Sequence, residues 1–161
     1  MPLTRTIRFS DEEMRAKQKT QVRRVIRPQP EHKQVHEVLY DGEHRLWCQE
    51  NHAWDYLLDS QRDRDELAAR CPYGQPGDHL RVRPGVILEI TVVRVERVQE
   101  ITEGDAQEEG LQDWYPPINE PNGAPYTTSK RRFRDFWNTH SNYTWDQNPW
   151  VWVISYKKIT S

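Results

Sequence analysis

The chain has 161 residues, 35% hydrophobic and 30% charged, with a formal net charge of −2 and a mean hydropathy of −1.03. That length holds one core of useful size and not two, and near-neutrality excludes nucleic-acid capture by a global field, leaving local patches only. Seven Trp and seven Tyr exclude a disordered chain, because disordered chains are poor in aromatics.

Ser10-Asp11-Glu12-Glu13 reads as a capping box that opens a short helix to about Lys17. Residues 19–26 read as a strand stopped by Pro28 and Pro30. From Arg15 to Arg27 there are six Lys/Arg and no acid. Residues 31–70 form a polar insertion, in which residues 35–40 and 44–48 flank Asp41-Gly42 as a hairpin. Residues 60–70 read as a polar helix or loop.

Pro72-Tyr73-Gly74-Gln75-Pro76-Gly77-Asp78 is a turn cluster. A strand over 79–83, a Pro84-Gly85 turn and a long β-branched strand over 86–98 follow. Thr102, with Asp105 as reciprocal partner, caps a helix that stops at Gly110. Residues 114–126 hold four prolines and two Asn and read as a loop. Thr127 or Thr128 starts a helix to about His140 with Phe133, Phe136 and Trp137 on one face. Residues 150–159 form the closing strand.

No apolar run approaches the roughly eighteen residues of a membrane span, and no apolar signal segment opens the chain. A soluble, cytoplasmic protein with free thiols at Cys48 and Cys71 is therefore expected. His32 and His36 have i, i+4 spacing without a following Glu, and His44 and His52 add no ligand pattern, so no metal is expected. No glycine loop cradles a phosphate, and no cofactor is expected.

Three basic segments stand out: Lys17, Lys19, Arg23, Arg24 and Arg27; then Lys130, Arg131, Arg132 and Arg134; then Lys157 and Lys158. Glu100, Glu103, Asp105, Glu108, Glu109 and Asp113 form an acidic run elsewhere. Charges so segregated imply a polarised surface whose basic side neutralises phosphates. Trp47, Trp54, Trp114 and Tyr115, on loop-like segments, are the candidates for stacking on bases. Trp137, Trp150 and Trp152, on periodic elements, are candidate core.

Taken in order, several pieces resemble the ASCH family of the PUA-like superfamily, most of all its phage and prophage branch. They are residues 19–30, Cys71-Pro72-Tyr73-Gly74-Gln75-Pro76-Gly77-Asp78, residues 88–97 with 101–106, Phe133-Arg134-Asp135-Phe136-Trp137, and residues 148–154. Together they cover most of the chain outside 31–70. The usual Gly-Arg-Lys-Thr signature is replaced by Lys17-Gln18-Lys19-Thr20, and the connection at Pro84-Gly85 is shorter than in that branch. The resemblance implies an α+β fold, a small PUA-like mixed β-barrel with two or three short helices, in one domain over residues 1–161.

Some proteins of that family remove the acetyl group from 4-acetylcytidine with a lysine, a threonine nucleophile and a glutamate. The resemblance puts these at Lys19, Val22 and Glu109, so Val22 leaves the site without its hydroxyl. Lys19 and Glu109 are the candidate catalytic pair, with a water activated by Glu109 in the threonine's place. Read from the residues alone, the same pair is a partly buried salt bridge. The leading expectation is binding of RNA or a nucleotide in a cleft formed by Lys19, Arg23, Arg24 and Glu109. An amidohydrolase acting on acylated nucleosides is the alternative. DNA and a host protein are further candidate partners, the latter docking on residues 31–70; no membrane is expected.

Overall fold

The spine of the protein is an antiparallel pair, β7 (Val86–Arg97) with β8 (Trp150–Ile159), in register from Ile87↔Ile159 to Arg97↔Trp150 with an irregularity between Ile90 and Val92. β8 is apolar without alternation because both of its faces are buried. Trp150, Trp152, Ile154 and Tyr156 enter one cluster with Val22, Ile26, Leu80 and Leu88. Val151 and Val153 enter another with Val98, Ile101, Phe133 and Trp137. Successive side chains of a strand point to opposite faces, so one strand anchors two cores.

The structure, a computed structural model, describes residues 1–16, 18–30, 35–40, 43–48, 53–56, 61–113 and 127–159, with the backbone alone between 35 and 56. Around the spine lie β1 (Thr4–Thr6), β2 (Gln21–Val25) and β6 (His79–Arg83), in the order β1-β6-β7-β8-β2. β1 runs parallel to β6 and the other pairs are antiparallel. β3 (Val35–Tyr40), β4 (Glu43–Cys48) and β5 (Ala53–Tyr56) form a second, antiparallel sheet. Four α-helices are described: α1 (Asp11–Arg15), α2 (Gln61–Ala68), α3 (Glu103–Glu108) and α4 (Ser129–His140). No helix among the described residues is long and apolar enough to cross a membrane.

The fold is α+β with a mixed sheet, as expected, but the sheet does not close into a barrel. β1 and β2 are its two edges. β1 is three residues long, and a side chain bridges the gap to β2: Arg24 Nη2 donates to the Arg8 carbonyl at 2.6 Å. A closed barrel needs a backbone ladder there. The helices number four rather than two or three, because residues 61–68 are helical and Ala68 at their end is buried in the first cluster. Trp54, expected on a loop, lies on β5.

The caps at Ser10/Glu13 and Thr102/Asp105 form as expected, as does the Thr128 cap of α4. The strand expected over 19–26 is shorter at both ends. Lys19 N donates to Ala16 O and Thr20 N to Glu108 O, so Lys19 sits in a turn that leads from α1 into β2. Lys17, the Asp41-Gly42 turn and the loop at 114–126 with Trp114 and Tyr115 lie outside the described residues, as do the side chains of Trp47, Cys48, Trp54 and the four histidines between 32 and 52.

Candidate functional site

Among the described residues, β2 pairs along one edge only, with β8, and its other edge is free. Tyr156 N donates to Thr20 O and Ile26 N to Trp150 O, so even-numbered residues of β2 turn their amides to β8. The amides of Gln21, Arg23 and Val25 then face away. On that side Arg24 Nη1 takes up the Arg23 carbonyl at 3.0 Å. A cleft of about 680 Å³ runs along this edge, walled by α1 through Glu13 and by α4 through Phe136 and Trp137.

Behind the edge, charges alternate in a chain. Arg24 Nη1 lies 3.0 Å from Glu13 Oε1, which lies 3.6 Å from Lys19 Nζ. Lys19 Nζ lies 2.6 Å from Glu109 Oε2 and donates to the Glu109 carbonyl at 3.1 Å. Glu109 Oε1 accepts from Arg23 Nη1 at 3.1 Å. Arg23 Nη2 reaches Glu96 at 3.3 Å and Asp105 at 3.5 Å. The side chains of Lys19, Glu109 and Arg23 are 2%, 3% and 0% exposed, so these are interior ion pairs. Breaking one costs much more than its presence gains.

Lys19 and Glu109 thus meet in an interior ion pair. Glu109 lines the cleft with Arg23, Arg24 and Arg27, and Lys19 does not. Val22 is fully buried in the first apolar cluster. The α4 cations do not line the cleft: Arg132 Nη1 donates to Gln112 O, and Arg134 Nη2 lies 3.5 Å from Asp135. On the same helix Lys130 is half-buried and Arg131 exposed. Lys157 is exposed and lies 3.1 Å from Glu89. The acidic run and the first basic run interlock behind the cleft: Asp105 and Glu109 fold back onto Arg23 and Lys19.

Residues of the site that had no functional signal in the sequence include Glu13, Gln21, Phe9 and Arg8. Glu13 was legible only as a cap, yet its carboxylate also receives Arg24. Gln21 Nε2 donates to Glu108 at 3.1 Å. The Phe9 ring lies 5.9 Å from Lys19 Nζ and 5.6 Å from Arg24 Cζ, within cation–π range.

Gly110 makes the close approach of α3 to this chain work. Its φ of +98° is left-handed, and a Cβ there would stand 2.6 Å from Ala16 Cβ and 3.4 Å from Lys19 Cβ. Gly110→Ala is expected to lose about 2 kcal/mol or more, from the backbone conformation and the clash together. Urea denaturation checks this; a midpoint equal to wild type removes the close-packing account.

Burial pushes the Glu13 carboxyl up, but the Arg24 and Lys19 charges and the hydrogen bonds from Arg24 and Ser10 N outweigh it, holding Glu13 below its ordinary 4.5. Asp105, also raised by burial, is drawn below its ordinary 3.8 by Arg23, Thr102 and Arg94. A depressed folded pKa contributes stability above the unfolded pKa, and that stability is lost as pH falls through the folded value. Unfolding free energy is therefore expected to hold down to about pH 5 and to fall below it. Glu13→Gln should show a shallower acid slope; an identical slope would take Glu13 out of the acid response.

Comparison of the chain with protein-family models, with curated proteins and with solved structures finds no match in any of the three.

Proposed function

We propose that this chain is a PUA-like protein of the ASCH type that binds RNA or a nucleotide in the cleft beside β2. One observation carries the reading: the free edge of β2 is flanked by the guanidinium-bearing residues Arg24 and Arg27 and faced by the aromatic side chains Phe136 and Trp137. Cations neutralise phosphates, and aromatic rings stack on unpaired bases. The buried Lys19–Glu109–Arg23 chain holds that edge in place.

Fluorescence anisotropy with single-stranded RNA tests this. Affinity should fall steeply with salt. Arg27→Ala, at an exposed position, should weaken binding and reduce the salt slope by about 0.7 to 1. Binding that ignores salt, or an Arg27→Ala slope equal to wild type, counts against the cleft. Arg23 is a poor choice for charge reversal, because its buried guanidinium holds three carboxylates.

A second reading, amidohydrolysis of 4-acetylcytidine-type nucleosides, is favoured by the 2.6 Å contact of Lys19 with Glu109, since a lysine and a carboxylate together can move a proton. It predicts that purified protein converts 4-acetylcytidine to cytidine and that Lys19→Met stops it. An absence of cytidine sinks this reading.

A further inference from the structure

Four of the five arginines that line the cleft fall into two groups. Arg23 and Arg24 are paired inside the protein, to Glu109, Asp105 and Glu96 and to Glu13 respectively. Arg8 and Arg27 line the same cleft, are exposed, and have side chains that meet no hydrogen-bonding or ionic partner among the described residues. Arg24, three residues before Arg27, donates to the Arg8 carbonyl at 2.6 Å and so ties the segment that carries Arg8 to β2. After internal pairing, the cleft therefore retains positive charge at this end of β2.

A second, independent observation concerns the interior wall. Trp137 is 5% exposed and its indole N–H meets no acceptor among the described residues. The Arg23 side chain is 0% exposed, and its Nε–H meets none among them either. Both residues line the cleft. Both donor atoms are closed off from solvent, so what this wall presents to the cleft is the aromatic surface of Phe136 and Trp137. The volume, about 680 Å³, lies within the range of small-molecule sites.

Building on the nucleotide reading, we propose that the cleft takes a phosphorylated nucleoside in preference to a free one. Its phosphate sits between Arg8 and Arg27. Its base lies against the Phe136 and Trp137 wall. The anion supplies the charge that the internal carboxylates do not, and the base supplies a ring face to the aromatic wall.

Calorimetric titration of the intact protein with the four ribonucleosides and their four 5′-monophosphates tests this. At least one monophosphate should bind tenfold or more tightly than its nucleoside. Arg8→Ala with Arg27→Ala, both at exposed positions, should bring the affinity for the monophosphate down to that for its nucleoside. The Trp137 indole proton resonance, identified by its loss in Trp137→Phe, should shift with that nucleotide as the base packs against the ring. Equal affinity for nucleoside and nucleotide, or a preference that survives the double variant, overturns the phosphate seat and leaves the binding reading standing. A stationary indole resonance overturns the base contact. If RNA binds and no mononucleotide does, the inference alone falls; if neither binds, the binding reading falls with it.

Discussion

Glu109→Leu should lower the melting temperature by about 6–12 °C, corresponding to a loss of about 3 kcal/mol. The carboxylate is 3% exposed and stands between two buried cations, Lys19 at 2.6 Å and Arg23 at 3.1 Å. Without it, Lys19 keeps the residue 109 carbonyl at 3.1 Å but, among the described residues, has no carboxylate nearer than Glu13 at 3.6 Å, and Arg23 has Glu96 at 3.3 Å and Asp105 at 3.5 Å. Lys19→Met should cost less, because each carboxylate it leaves keeps a close cation: Glu109 keeps Arg23 at 3.1 Å and Glu13 keeps Arg24 at 3.0 Å. The double variant Lys19→Met/Glu109→Leu should lose less than the sum of the singles, since contacting residues are not additive. Thermal and urea unfolding of the three variants and wild type decides it. A Glu109→Leu protein melting within about 2 °C of wild type, or strict additivity, would show that the chain of charges is not a coupled unit.

Local chemistry made much of the fold legible. The capping boxes at Ser10 and Thr102 use side chains within three residues of one another, so they can be read without knowing the tertiary structure. The β-branched run of β7 and the Phe133/Phe136/Trp137 stripe of α4 also declare themselves by period. Lys19 and Glu109 came together only through the resemblance, since 90 residues separate them. Three things were not legible. Whether five strands close depends on what lies between β1 and β2, and that is the Arg24 guanidinium on the Arg8 carbonyl, a contact with no sequence period. The basic run and the acidic run are separate in sequence and interlocked in space, so charge patterning along the chain misstates the surface. Gly110 reads as a helix stop, and its φ does serve that role; its contact with Ala16 arises only once α3 packs beside the turn that carries Lys19.

α4 carries both the second core and one wall of the cleft, and its two phenylalanines divide those roles. Phe133 is 1% exposed. Its ring lies 6.0 Å from Trp137, 6.3 Å edge-on from Trp145 and 5.9 Å from the Arg23 guanidinium. Around it stand Val98, Ile101, Ala106, Val151 and Val153 from β8, α3 and the turn after β7. Phe133→Ala should therefore cost about 3–5 kcal/mol, through lost burial and a cavity that the fixed strands cannot collapse. Phe136 is only partly buried and stacks on His140 at 4.3 Å, so Phe136→Ala should cost about 1–2 kcal/mol. The order reverses for ligand: Phe136→Ala removes a stacking face while the helix stays seated, and should weaken RNA binding by about 1–3 kcal/mol. Denaturant midpoints and anisotropy on the two variants separate the roles. Equal destabilisation by both would mean that α4 is not held chiefly through Phe133, and unchanged RNA affinity in Phe136→Ala would take the α4 wall out of the binding surface.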